Sequence, residues 1–305
     1  MPKVVNIPRK VLQEFYWNRK LGTYQVAAIL DCSQALIMKK MKQFNMARRT
    51  VQESHALTKP KYRRHNFSGG LTEKAYLIGF RLGDLYVSKT HPNSPTIRIS
   101  TNTTKKAQLN LVWKLFSRYG HVRQVGPDSR GATSIRCHVN TSFDFLVKKN
   151  DNIEPWIMLR RNCYFAFLAG YIDAEGTFCI AGDTGILSIK SQDKNILRLL
   201  QAKLLEFGIL SKPPAVLRVA GVDRRGVKTN KAIWGFTVYR KGSLLRLTKF
   251  LKPYLKHTDK RVGMHRVEMN VLRRNRLYGD REDRRWYRTY PMYSYALKLN
   301  HGRAL

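Results

Sequence analysis

The chain has 305 residues, enough for two or three domains, and 43% of them are hydrophobic, which excludes wholesale disorder. Lysine and arginine number 57 against 20 aspartate and glutamate, a formal net charge of +37. Such a surplus calls for an anionic partner, nucleic acid before an anionic membrane. No apolar run approaches the roughly 20 residues of a spanning helix. The opening MPKVVNIPRKVLQEF carries no secretory h-region, so an intracellular protein is expected. The four cysteines, Cys32, Cys137, Cys163 and Cys179, form no Cys-x-x-Cys pair, and the eight histidines are scattered. Neither a disulfide framework nor a zinc site is expected.

Residues 1–45 read as a small all-α module. Pro8 opens a first helix with Val11, Leu12, Phe15 and Tyr16 on its apolar side. Thr23 is the expected N-cap of a second, which carries Val26, Ala27 and Leu30. After a break at Asp31-Cys32, Ser33 caps a third, with Leu36, Ile37 and Met41 for the core. Helix, short turn, helix is the helix-turn-helix plan. It leaves Gln34, Lys39, Lys40 and Lys42 for DNA. Over about 25 residues the segment resembles the helix-turn-helix modules of site-specific DNA-binding proteins. Residues 46–70 are basic and lack a strong apolar period, which reads as a linker that follows the phosphate backbone through Arg48, Arg49, Lys61, Arg63 and Arg64.

From residue 71 the chain repeats itself, with copies expected at 71–160 and 161–275 and a basic extension at 276–305. Each copy opens with an apolar helix, YLIGFRLGDLYV or FLAGYIDAEGTF. A β-rich stretch follows, then an amphipathic helix ending before Gly120 or Gly208, more β structure, and a closing apolar helix, SFDFLVKK or GSLLRLTKFLKPYL. The second copy adds an expected hairpin at Asp223 to Asn230. The unit is α-β-β-α-β-β-α, an α+β fold present twice.

The two opening helices align as Gly79, Gly83, Asp84 against Gly170, Ala174, Glu175. Small residues four apart lie on one helix face and let two backbones approach, so the two helices are expected to pack on each other. Asp84 and Glu175 then emerge side by side. Two close carboxylates repel unless a cation sits between them. Mg2+ takes one or two protein carboxylates and completes its shell with water and phosphate oxygens, which points to metal-dependent phosphodiester chemistry. The backbone carbonyls of Gly83 and Ala174 are further candidate ligands.

LAGYIDAEG, residues 168–176, resembles the LAGLIDADG signature in seven of nine positions, and LIGFRLGDL, residues 77–85, is a looser copy. The chain resembles a monomeric, two-repeat LAGLIDADG homing endonuclease with an added DNA-binding module. That resemblance implies a four-stranded antiparallel sheet from each repeat, the two forming a saddle over the DNA major groove. It also implies cleavage of double-stranded DNA at a long site with short 3′ overhangs. Asp84 and Glu175 match the motif acids and would hold Mg2+, with Mn2+ or Ca2+ able to take the same place. Asp173 matches the signature's other acid, which usually binds no metal. A glutamine before the second helix matches at Gln192, and the first copy has none in TNTTKK. Basic residues near the closing helices give Lys256 and Lys260 in the second copy and Lys148 with Lys149 in the first. Strand residues expected to face DNA are Lys89, Arg98, Ser100, Arg136, His138, Lys190, Arg218, Arg224, Arg225, Lys228 and Tyr239. Two rival readings are a DNA-binding regulator without catalysis and an RNA-binding maturase whose partner is its host intron RNA.

Overall fold

A computed structural model describes residues 6–50, 53–54, 57, 62–89, 91–92, 94–222, 226 and 228–279. The chain divides into two compact units, Met1–Arg63 with His91–Pro95, and Arg64–Thr90 with Thr96–Leu305.

In the first unit, α1 (Arg9–Gln13) starts behind the extended backbone of Pro8 and runs into a π-helical turn, Glu14–Asn18. Then come α2 (Thr23–Ile29) and α3 (Gln34–Gln43). The start of α2 lies one residue earlier than the sequence indicates. Gln25, at the third helical position, reaches back to accept the Gly22 N–H at 2.9 Å, so Gly22 is the cap. Thr23 instead accepts the Gln34 side-chain amide at 2.9 Å, which ties α3 to α2. Asp31 turns the chain between them with φ 47°, a left-handed position that Asp tolerates. Ser33 Oγ caps α3 by accepting the Leu36 N–H at 3.2 Å. Leu12, Tyr16, Val26, Ala27, Ile37 and Met41 form the core.

The second unit states one topology twice. The first copy runs α4 (Leu71–Gly83), β1 (Tyr86–Lys89), β2 (Thr96–Thr103), α5 (Lys106–Phe116), β3 (Val122–Val125) and β4 (Thr133–Asn140). After a short α6 (Pro155–Leu159), the second runs α7 (Arg161–Glu175), β5 (Gly176–Ala181), β6 (Thr184–Ser191), α8 (Lys194–Glu206), β7 (Ala215–Arg218) and, beyond the hairpin β8 (Gly221–Val222) and β9 (Lys228–Thr229), β10 (Ile233–Val238). The sheets are antiparallel, with orders β1-β2-β4-β3 and β5-β6-β10-β7, the same order in each copy. Strict alternation sets the faces. In β2, Ile97 and Ile99 are buried while Arg98 and Asn102 are exposed; in β6, Leu187 and Ile189 are buried. The inner faces, α4 and α7 share one core.

The copies close differently. SFDFLVKK, expected as an α-helix, is a 3-10 turn over Thr141–Leu146. Asn140 Oδ1 accepts the Ser142 N–H at 3.1 Å, and Phe143 and Leu146 are buried three apart, the 3-10 spacing. The second copy ends in α9 (Lys241–Leu251) and then α10 (Thr258–Tyr278), a 21-residue helix. Its sequence is so charged that no apolar period announces it. Only Met264, Val267, Asn270 and Val271 are buried. Asn270 accepts the Gly185 N–H at 3.0 Å and donates to the Asp183 carbonyl at 3.2 Å, pinning α10 to the β5–β6 turn. None of the described helices is long and apolar enough to cross a membrane.

Candidate functional site

The helices α4 and α7 meet through glycine. A β-carbon added at Gly79 would lie 2.1 Å from the Phe167 carbonyl oxygen, and one at Gly170 would lie 2.1 Å from that of Tyr76. The approach is reciprocal, as a pseudo-twofold axis between the copies requires. One turn further on, a β-carbon at Gly83 would meet the Ala174 methyl at 2.5 Å and Glu175 Cγ at 2.9 Å. Glu175 therefore lies directly against the end of α4, beside Asp84, the residue that caps it. Both acids are half-buried.

Their environment penalises negative charge. Burial lifts the Glu175 carboxyl to about 7, with the nearby negative charges of Asp84 and Asp193 adding to the effect and Lys149 and Lys260 opposing it. Burial also raises Asp84, against the pull of a hydrogen bond from Gln108 and the charges of Lys260 and Lys105. The Gln108 amide donates to Asp84 Oδ2 at 2.8 Å. Two lysines reach the helix ends. Lys149 Nζ donates to the Leu82 carbonyl at the end of α4, and Lys260 Nζ donates to the Gly176 carbonyl just after α7. Such carbonyls lack helical partners, so a lysine here both satisfies them and places positive charge at the acids. Around Asp84 the surface is indented, with Thr101, Thr103, Lys105, Gln108 and Lys260 lining one side and Tyr86, Ser100 and Lys149 the other.

Two acids suit a divalent cation that fills its shell with water and phosphate oxygens. No cluster of three or more His, Cys, Asp or Glu placed to hold a metal occurs among the described residues.

Asp173 has other work. It is 1% exposed, and its Oδ2 accepts from Tyr76 Oη at 2.6 Å, the Lys256 N–H at 2.8 Å and the His257 N–H at 3.1 Å. It joins α7, α4 and the segment before α10. Burial still lifts its carboxyl to about 6 despite these three donors. Asp173→Ala leaves three donors unpaired, those of Tyr76 and His257 buried, and is expected to cost about 3 kcal/mol or more, whereas Asp173→Asn keeps an acceptor and is expected to cost about 1 kcal/mol. Urea denaturation of the two variants checks the difference.

The remaining candidates fall into groups. Lys256 carries its ammonium 4.5 Å from the Tyr76 ring centre, near Asp173 rather than the two motif acids. Gln192 is exposed just ahead of α8 and makes no described contact with Glu175. The glutamine that does reach an acid is Gln108, in the copy where the sequence shows none before the helix. It sits inside the helix, on the buried stripe Gln108, Leu111, Val112, Leu115, Phe116. A polar residue in phase with an apolar stripe was the signal. Of the paired lysines, Lys149 and not Lys148 is at the acids.

On the outer sheet faces lie Arg98, Ser100, Arg136, His138, Lys190 and Arg218, with Lys228 exposed in the hairpin and Tyr239 half-buried after β10. Lys89 is engaged with Asp144 at 2.7 Å, and Arg64 with the Thr96 hydroxyl. Arg49, expected on phosphate, donates instead to the Lys20 and Leu21 carbonyls and lies 4.0 Å from the Tyr16 ring centre. Its neighbour Arg48 is exposed, and with Lys39 and Lys42 it lines a groove along α3. Lys40 lies over Phe44, and Gln34 is held by Thr23. Arg63 is exposed. Lys61, Arg224, Arg225 and residues 280–305 lie outside the described residues.

Residues 162–223, from α7 to the hairpin, match the family model of the LAGLIDADG-like domain. With the repeated topology, the fold is an α+β LAGLIDADG fold. No curated protein matches the sequence. Among solved structures, the chain is similar to I-DmoI in complex with DNA and Ca, at 17% identity over 64% of this chain and 98% of that one, with a TM-score of 0.42. It is similar to the homing endonuclease I-WcaI bound to its DNA recognition sequence, at 16% identity over 64% and 86%, TM-score 0.43. It is also similar to full-length DUF199/WhiA from Thermatoga maritima, at 14% identity over 69% and 63%, TM-score 0.43.

Proposed function

We propose that the protein is a site-specific, metal-dependent endonuclease of double-stranded DNA, acting as a monomer whose two repeats each supply one acid. The observation that carries this reading is the placement of Asp84 and Glu175, from equivalent positions of two copies, against one another at the end of a glycine-packed helix seam. A divalent ion bound there supplies charge neutralisation at the phosphate and an activated water. Asp84 and Glu175 would hold it, with Lys149 and Lys260 adding positive charge where the phosphate's negative charge develops. The outer faces of the two sheets would follow the major groove, and α3, with Lys39, Lys42 and Arg48, would add contacts as the second helix of a helix-turn-helix. The net charge of +37 supports an extended phosphate interface.

The test is incubation of the full chain with a randomised duplex library in Mg2+. Recovery of a discrete cleaved sequence, lost in EDTA, is expected. Tight, specific binding in Mg2+ and Mn2+ without cutting would sink the endonuclease reading in favour of a regulator.

The two acids are unequally supported. Gln108 is the third residue of α5, and Ile196 holds that position in α8, so among the described residues Asp84 has a side-chain amide to fix it and Glu175 has none. Gln108→Leu is expected to slow cutting of one strand about 10- to 100-fold and of the other much less, measured on a duplex labelled separately on each strand.

A further inference from the structure

The outer faces of the two sheets carry different chemistry. In the first, register sets Arg98 beside His138 and Arg136 opposite Arg123. Arg98, Arg123, Arg136 and His138 are all exposed. Like charges directly opposite on a strand pair repel, so this face is arranged for an anionic or acceptor-rich surface. The four-residue strand that carries Arg123 is too short to show a period in the sequence.

The second sheet is built otherwise. Cys179 lies opposite Ile186, and Ser188 lies between Thr177 and Thr237. At the edge, the Leu217 side chain folds over Gly235, where a β-carbon would meet it at 2.5 Å, and remains 53% exposed. On the outward side of β6, Lys190 is the one charged residue. Apart from Lys190 and the half-buried Arg218 opposite Ile233 at the β7 edge, this face offers methyl groups and small side chains where its counterpart offers three exposed guanidinium groups.

In the major groove, arginine pairs with the O6 and N7 acceptors of guanine, and apolar side chains pack on the thymine C5-methyl. We propose that the two halves of the DNA target are read by unlike chemistry. The first sheet reads guanine acceptors; the second reads thymine methyls, which sets a thymine-rich half under β5, β6 and β10. This rests on the reading of the protein as a sequence-specific DNA-binding enzyme. The strongly basic chain favours DNA as the occupant of the apolar face, because a protein seated there would have to tolerate the neighbouring cations.

The experiment selects randomised duplex DNA with the full chain in Ca2+, then substitutes the selected site. Replacing thymine by deoxyuridine deletes only the C5-methyl; replacing guanine by 7-deazaguanine deletes only N7. The expected result is one thymine-rich half, in which deoxyuridine weakens binding on the order of fourfold per contacted methyl. The other half is expected to respond to 7-deazaguanine instead. Ile186→Ser is expected to remove the deoxyuridine effect and leave the 7-deazaguanine effect; Arg136→Ala is expected to do the reverse. Halves of like composition, or a site indifferent to deoxyuridine, overturn the proposal and leave the endonuclease reading standing. The second of these is what an apolar face reserved for a protein would give. A selection that enriches no sequence overturns both.

Discussion

Asp84→Asn and Glu175→Gln are each expected to abolish double-strand cleavage, by about 10³-fold or more, while the chain still folds and binds its site. Each substitution preserves shape and removes one negative charge. The acids sit where burial raises both carboxyl groups, so neutralising either relieves the fold rather than straining it. What is lost is the charge that would hold a divalent ion against the phosphate. Binding should be equal or tighter, because a carboxylate near a phosphate repels it. Asp173→Asn is the contrast. It lies two residues from Glu175 and is the more deeply buried, but its hydrogen bonds run to Tyr76 and to the backbone of Lys256 and His257. It should keep cutting. Plasmid cleavage in Mg2+ and gel shift in Ca2+ separate the outcomes. Cleavage by Asp84→Asn, with loss of activity in Asp173→Asn, would put the reaction on the wrong carboxylate.

Gly79→Ala and Gly170→Ala are expected to destabilise the second unit at or beyond the ~3 kcal/mol upper end of ordinary overpacking. The new methyl would sit 2.1 Å from a backbone carbonyl oxygen of the facing helix, and backbone cannot step aside as a side chain does. The helices would have to separate along a seam that carries Tyr76, Phe80, Phe167 and Tyr171 in the core. For a domain of this size the loss corresponds to roughly 6–12 °C in melting temperature. Gly83→Ala should differ in kind. Its methyl would meet the Ala174 side chain and the flexible Glu175 side chain, so stability falls less but Glu175 is displaced, and cleavage should suffer more than melting. Melting curves and cleavage rates of the three variants form the check. A Gly79→Ala protein that melts with the wild type would contradict the packing described.

The fold was readable because its devices are local and repeated. Small residues four apart mark a close helix pair, and alternation marks half-buried strands. Gly208, at φ 67°, closes α8 just past its cap Phe207, whereas α5 ends at Ser117, three residues before Gly120, and two copies allow position-by-position comparison. The same comparison separated Asp173 from Glu175, since the partner of Asp173 in the first copy is Leu82. The parts that escaped depend on long-range contact. Gln108 reads as a helix residue until Asp84, 24 positions away, is brought to it. Lys148 and Lys149 are equivalent in sequence, and only the path after the 3-10 turn decides that Lys149 meets the Leu82 carbonyl. The helix α10 holds its place through Asn270 and a few apolar residues, too sparse a pattern beside so many charges. Arg49 looked like part of a phosphate-binding run, yet two carbonyls and the Tyr16 ring take its guanidinium.

On the reading proposed above, Asp84 and Glu175 would jointly hold a divalent ion at the junction of the two repeats. Crystals of the full chain with its selected duplex, grown in Mn2+ and measured at the manganese edge, test it most directly. Anomalous density is expected within coordination distance of an oxygen of Asp84 and an oxygen of Glu175, next to a DNA phosphate. Ordered DNA on the protein with no anomalous density at either acid would contradict it.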